Sequence, residues 1–265
     1  MFPLYTKTFP STAAELQELL NASIQRVFTG AADAVTISGA NLPDLAAVRI
    51  GLDKAELRSN PEPPPRAEGA SAPALVIGEF TINGKEVTLG PARADLKLSA
   101  RDVRLNRATD ATGEIVLVLK SAAEGEVEVS VSKDALERAI ASVATSEAGK
   151  HGVSIDQVRL TISTRSERGV DAEVQLRGRK LFFSTVIRIT AKLDLDEQLN
   201  ARVSGMRCNG EGAIGALACN VLAPHLQAVD GRTFPLMALP LGEVRLRDVR
   251  LAAGERITVT AEFGS

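Results

Sequence analysis

The sequence predicts an α+β fold in which long antiparallel strands lie beside a few helices. Two observations support this class. Alternating apolar and polar residues, typical of half-buried strands, recur along most of the chain. Three other segments place apolar residues at helical spacing. Since β-rich domains often reach 265 residues undivided, we expect a single domain, residues 1–265.

The first predicted helix lies within the N-terminal segment 1–30 and spans residues 12–28. Thr12 and Glu15 form a capping box, and Gly30 follows the helix. Its apolar residues are Leu16, Leu19, Leu20, Ile24, Val27 and Phe28. Strands are predicted next at 34–39 and 46–58.

A long proline-rich loop is predicted at 60–72, because this segment has no hydrophobic period. Strands are expected to resume at 74–82 and 85–89. The dipeptide Asn83-Gly84 between them is a strong signal for a two-residue hairpin. Further strands are predicted at 93–105 and 113–120.

The second half opens with an alternating strand at 125–131, after which Ser132 is expected to cap a helix at 132–145. Strands follow at 153–164, 169–178, 181–195 and 198–208. A third helix is predicted at 212–228, with a kink or break near Pro224. Strands at 242–251 and 255–263 close the chain, and we expect Phe263 to fix the terminus.

Composition limits the classes of function. Net charge is −2, from 31 basic and 33 acidic residues, and aromatic residues make up only 3%. Neither a large basic face for duplex DNA nor base stacking is therefore expected, so we predict no nucleic-acid partner. No stretch approaches the roughly 20 uninterrupted apolar residues of a membrane span. No signal peptide is visible, which favours a location in the cytoplasm or peripheral to the inner membrane. Export is the alternative if the natural chain begins before this sequence.

Catalytic chemistry is hard to find in the sequence, so we do not expect an enzyme. His151 and His225 stand in no metal-ligand spacing, and Asp194 and Asp196 alternate outward on a strand, where solvation explains them. The glycines near the third helix match no phosphate-binding loop and are better explained by close approach of sheet and helix. We predict no metal and no cofactor.

The two cysteines, Cys208 and Cys219, lie 11 residues apart, and no zinc-binding motif surrounds them. We expect two free thiols. The alternative is a disulfide that ties a strand end to the third helix, and spacing alone does not decide between them.

The order of elements after residue 125 resembles a known family. It comprises a strand, the helix at 132–145, long strands, the loop Gly205-Met206-Arg207-Cys208 and a helix ending Pro224-His225-Leu226. Phe234-Pro235-Leu236 and the strand that begins at Gly242 follow. This order resembles the bacterial LmeA-like phospholipid-binding proteins of the tubular lipid-binding (TULIP) superfamily. The resemblance implies a strongly curved antiparallel sheet wrapped around long helices.

The resemblance also implies non-catalytic binding or transfer of phospholipid or another acyl lipid in an apolar groove. A lipid tail needs only a long apolar slot, because each buried methylene contributes roughly 0.8 kcal/mol. The predicted groove walls are Leu136, Ile140, Phe182, Phe183, Ile214, Leu217, Val221 and Leu222. The alternative is that these side chains simply fill one another, which would suit a structural or protein-interaction module with a fully packed core.

A membrane surface is a further expected partner. Four apolar residues near Pro235 are candidates for bilayer contact: Phe234, Leu236, Met237 and Leu239. A buried connecting strand is the alternative for this run. Basic residues that could attract anionic headgroups recur at Arg177, Arg179 and Lys180 and at Arg245, Arg247 and Arg250, although clusters of this kind are usually only solvated faces. The sequence indicates no oligomeric state.

Overall fold

The computed structural model describes residues 2–39, 41–59, 65–90, 92–149, 152–180, 183–196, 200–235 and 246–264. Within these ranges there are three helices, and sixteen strands form two sheets. The helices are α1 (Ala13–Val27), α2 (Lys133–Gly149) and α3 (Gly212–Val229). The predicted α+β class is confirmed, and the strands are divided between two sheets.

The first sheet contains eleven strands in the described part of the chain, and most of them pair antiparallel. Their neighbour order is β15-β16-β9-β7-β6-β4-β3, while β1, β2, β5 and β8 join at the sides. Both β4 and β5 pair parallel with β6. The strands are β1 (Phe2–Pro3), β2 (Phe28–Thr29), β3 (Val35–Ser38), β4 (Asp44–Gly51), β5 (Glu56–Leu57), β6 (Glu68–Leu89), β7 (Ala92–Thr109), β8 (Ile115–Ser121), β9 (Glu124–Ser132), β15 (Leu246–Ala253) and β16 (Arg256–Phe263).

The hairpin predicted at Asn83-Gly84 is wrong. Strand β6 runs through both residues, and both pair with β7. A register shift follows between Gly84 and Val87. A Cβ atom on Gly84 would lie 2.6 Å from Val87 Cγ2 and 3.1 Å from Leu52 Cβ. This glycine therefore permits close packing at a bulge, a role that sequence alone does not distinguish from a turn.

Helix α1 packs its apolar side on the first sheet, and its predicted capping box is present. Thr12 Oγ1 accepts a hydrogen bond from the Glu15 amide at 3.2 Å. The Glu15 carboxylate accepts from the Ser11 amide at 2.7 Å and from the Ser11 hydroxyl at 3.0 Å. These bonds, the Ser11 amide first, hold the pKa of Glu15 below its usual range. Leu16 and Leu20 are buried.

The second sheet has five antiparallel strands in the order β10-β11-β12-β13-β14 within the described residues. They are β10 (Ser154–Ser166), β11 (Gly169–Lys180), β12 (Phe183–Leu195), β13 (Asn200–Gly210) and β14 (Thr233–Pro235). Three residues of this sheet belong to the buried core of the first sheet: Val170, Leu195 and Ala201. Strand β15 links the sheets directly, because the Leu251 amide donates to the Glu167 carbonyl at 2.8 Å and the Ala253 amide to Thr164 Oγ1 at 2.9 Å.

Candidate functional site

The core of the first sheet is too full to hold a lipid tail. Its internal cavity measures about 10 Å³, far below the roughly 300–1,000 Å³ of a small-ligand site. That volume is at the limit for one water molecule. The lining is wholly apolar: Phe2, Leu16, Leu20, Val48, Ile50, Leu75, Ile77, Phe80, Leu105 and Leu117. Any site for an acyl chain must therefore lie elsewhere.

The apolar face of the second sheet is packed less completely. Across its two central strands, Val174 pairs with Ile189 and Leu176 with Ile187, so all four side chains point to one face. Helix α2 lies against β10, whereas α3 lies against β13 and β12. We call these four residues the inter-helix face. Leu176 and Ile187 are buried, but Val174 and Ile189 remain half-buried.

Helix α2 is held to the sheet by polar bonds at its start. The Ala135 amide donates to Ser132 Oγ at 3.1 Å, which confirms the predicted cap. One turn later, Glu137 Oε1 accepts from the Leu160 amide of β10 at 2.7 Å. Ile140 packs against the inter-helix face. Farther along, Val143 is 53% exposed, so the apolar side of α2 is only partly covered.

Helix α3 approaches the sheet very closely at its first turn. A Cβ atom on Gly215 would lie 2.6 Å from the Gly210 carbonyl carbon and 2.7 Å from Thr185 Oγ1. The Thr185 hydroxyl donates to the Glu211 carbonyl at 2.9 Å. The predicted role of glycine in close helix–sheet packing is confirmed at positions 210 and 215. It is wrong at Gly205 and Gly212, where an added Cβ would meet only the Lys192 side chain at 3.7 Å or nothing within 4 Å.

A disulfide joins Cys208 of β13 to Cys219 of α3, with a Cα–Cα distance of 5.5 Å. The expectation of two free thiols is therefore wrong. Cys208 pairs with Ile189 in register and thus lies on the apolar face beneath α3. The spacing of 11 residues allows the chain to turn from strand to helix and bring the second sulfur back over the first.

The outward side of α3 is apolar as well. None of its 18 residues is charged, and only Gly215 and Cys219 are buried. Leu217 is 65% exposed, and Val221, one turn later, is 56% exposed. By length and composition α3 alone among the described helices could cross a membrane. The helix continues through Pro224, so it does not break there, and the predicted kink stays a prediction.

The other predicted groove residues are distributed around this site. Leu136, Ile214 and Leu222 are half-buried on α2 and α3. Phe182 and the side chain of Phe183 lie outside the described residues, as do Leu236, Met237, Leu239 and the side chain of Phe234. Lipid binding by these groove and membrane residues stays a prediction.

Sequence reasoning missed the strand residues of the site, notably Val174, Leu176 and Ile189. The signal was present, because residues 170–176 alternate between apolar and polar side chains on a predicted strand. The sequence does not reveal the strand register, which places β11 beside β12 between the two helices. The groove residues predicted from sequence lie only on the two helices and at Phe182 and Phe183.

The polar groups near this sheet are arranged as ion pairs. Arg165 contacts Asp194 in a short ion pair and Asp171 at 3.2 Å. These bonds, Asp194 first, raise the pKa of Arg165 above its usual value. Among the described residues, no group of three or more His, Cys, Asp or Glu side chains is placed to hold a metal ion.

Comparison with known proteins identifies the family. The sequence model of a family described as LmeA-like phospholipid-binding matches residues 76–262, which is more than half of the chain. The match includes β11, β12, α2, α3 and the disulfide. No match was found among curated proteins or among solved structures. On this evidence the chain belongs to the LmeA-like phospholipid-binding family.

Proposed function

We propose that the protein binds phospholipid, or another acyl lipid, without catalysis and holds the acyl chain on the inter-helix face. The observation that carries this proposal is a contrast in packing. The first sheet encloses a filled core, whereas the second sheet leaves Val174 and Ile189 half-buried between helices α2 and α3. Family membership supplies the class of ligand.

Burial of the lipid tail supplies the driving force for this binding. Each methylene removed from water contributes roughly 0.8 kcal/mol, so ten methylenes contribute roughly 8 kcal/mol before the cost of immobilising the ligand. The ligand would also cover the apolar surface that Val174, Ile189 and Val143 now expose. No nucleophile, general base or metal is required for such binding.

The disulfide bears on where this binding takes place. Disulfides persist in oxidising compartments and are rare in the cytosol. We therefore extend the proposal to the oxidising side of the inner membrane, in place of the cytoplasm favoured by the N-terminal sequence. Alkylation of free thiols in intact cells, followed by mass spectrometry, tests this: unmodified, oxidised Cys208 and Cys219 are expected.

Native mass spectrometry followed by organic extraction tests lipid binding. We expect the purified protein to carry phospholipid and Val174→Phe to lose it, because the larger ring fills space that the tail needs. Val186→Phe is the matched control, since Val186 is also a half-buried valine on a central strand but points to the opposite face. A lipid-free mass that ignores added phospholipid would overturn the proposal and favour the interaction-module alternative.

A further inference from the structure

The outer face of the second sheet concentrates arginine side chains. Strand register arranges its residues in transverse rows, about 7 Å apart along the strands. The first row is Gln157, Arg177 and Val186; the second is Arg159, Gln175, Arg188 and Asn209; the third is Thr161, Glu173, Thr190 and Arg207. These positions alternate with the inter-helix face, so they point away from α2 and α3. We call Arg159, Arg177, Arg188 and Arg207 the arginine rows.

Few carboxylates offset these charges. Glu173 is the one acidic residue within the three rows. Arg188 also reaches Glu211, at the start of α3, at 3.3 Å. In the part of the chain that the structure describes, no ion pair joins Arg159, Arg177 or Arg207 to a carboxylate. All four arginines are exposed.

Two of the arginines border a common indentation. A cavity of about 40 Å³ is lined by Arg159 and Arg177, together with Gln157, Gln175 and Val186. Guanidinium groups match phosphate oxygens bidentately, and glutamine amides supply further donors. Like charges on neighbouring strands repel each other, so an anionic group at this position would relieve a cost that the free protein bears.

The basic face stands out against the rest of the molecule. The whole chain has a net charge of −2, so this concentration is local and does not reflect a basic composition. Of this face, the sequence pattern alone indicates Arg177, beside Arg179 and Lys180 near one hairpin. In the other basic group predicted from sequence, Arg245, Arg247 and Arg250, the charge of Arg250 is offset by a short ion pair with Asp248. Register adds Arg159, Arg188 and Arg207 from three separate strands.

We infer that the arginine rows dock the protein on the surface of an anionic phospholipid membrane, where they contact headgroup phosphates. This inference goes beyond the proposed acyl-chain site, because it assigns a different ligand surface to the opposite face of the sheet. Contact would be electrostatic and peripheral, and it would weaken as salt screens the charges.

Cosedimentation with lipid vesicles tests the docking surface. We expect the wild-type protein to bind vesicles of phosphatidylcholine mixed with phosphatidylglycerol, to ignore pure phosphatidylcholine, and to dissociate at high salt. The double variant Arg159→Gln/Arg177→Gln should bind about 25-fold more weakly, since each basic residue near an anionic surface contributes about fivefold in affinity. Lipid carried by this variant in native mass spectrometry should be unchanged, which separates failure of docking from failure of acyl-chain binding.

The matched control is Arg93→Gln/Arg104→Gln, which removes the same charge from exposed positions on β7. It should leave vesicle binding close to wild type. Equal loss in both double variants would overturn the inference, because it would show a response to net charge alone. Displacement from vesicles by inorganic phosphate at matched ionic strength would also overturn the inference, because it would show a site for small anions. Binding of a single-stranded oligonucleotide in preference to vesicles would overturn it as well.

Discussion

Glycine at position 215 sets the distance between α3 and the second sheet. The space for its missing Cβ is occupied by Gly210 and Thr185 at 2.6–2.8 Å. We predict that Gly215→Ala lowers the free energy of unfolding by about 1–3 kcal/mol, because the helix must move away from the strands. Urea unfolding measures the change.

The control for this substitution is Gly149→Ala at the end of α2. An added Cβ there meets nothing within 4 Å. Its free energy of unfolding should match or exceed that of the wild type, because alanine favours the helix. A stable Gly215→Ala variant would contradict the close approach of α3.

Glu15 makes stability depend on pH at the start of α1. The Ser11 amide, followed by the Ser11 hydroxyl, lowers the pKa of this carboxyl in the folded state. Its contribution is fully present above the ordinary glutamate pKa of about 4.3 and is lost as pH falls through the lowered folded value. We predict that Glu15→Gln is less stable than wild type at neutral pH and that the difference disappears in acid, as followed by thermal melting across pH.

Helix α3 depends strongly on its disulfide, because little of the helix is buried against the sheet. Only two of its residues are buried, and one of them is Cys219. Closing a loop of this length stabilises a fold by about 3 kcal/mol, so Cys208→Ser with Cys219→Ser should lower the unfolding free energy by roughly that amount. Urea titration with and without a thiol reductant checks this. The reductant should leave the double variant unaffected, and a wild type insensitive to it would contradict the prediction.

Elements with their own local signals were predictable from sequence. The cap at Thr12 and the spacing of Leu16 and Leu20 define α1 to within a residue at each end, and Ser132 marks the start of α2. The prediction of a turn at Asn83-Gly84 was wrong, because the same dipeptide also suits a bulge inside a long strand. A two-residue hairpin turn would use the positive φ that glycine allows, whereas Gly84 is used here for the space that its missing Cβ leaves.

Features that depend on register were not predictable. The inter-helix face needs β11 placed beside β12, and the arginine rows need three strands aligned. No local preference of Val174 or Arg159 encodes these partners. Likewise, Cys208 and Cys219 pair because α3 folds back over β13, a tertiary event.

At the scale of the whole molecule, the two sheets share one core. Leu251 of β15 belongs to the same buried cluster as Val170 and Leu195 of the second sheet. We predict that Leu251→Ala lowers the free energy of unfolding by about 2–5 kcal/mol and weakens both sheets together.

Two probes can test that coupling. Fluorescence of Tyr5, the single tyrosine, reports on the N-terminal region, while hydrogen exchange measured by mass reports on β11 and β12. Coincident urea transitions are expected in wild type and in Leu251→Ala. Separate transitions would show that the sheets unfold independently, contrary to the single domain predicted from sequence.

The covalent bond at Cys219 has a kinetic consequence for α3. If the helix lifts from the sheet, it remains tethered at the middle of its length, so its return is an intramolecular reaction at high effective concentration. Opening would then be brief and local. The segment beyond Pro224 would move farthest, because Cys219 separates it from the close contact at Gly215. Such opening would expose the inter-helix face while α3 stays attached to the fold.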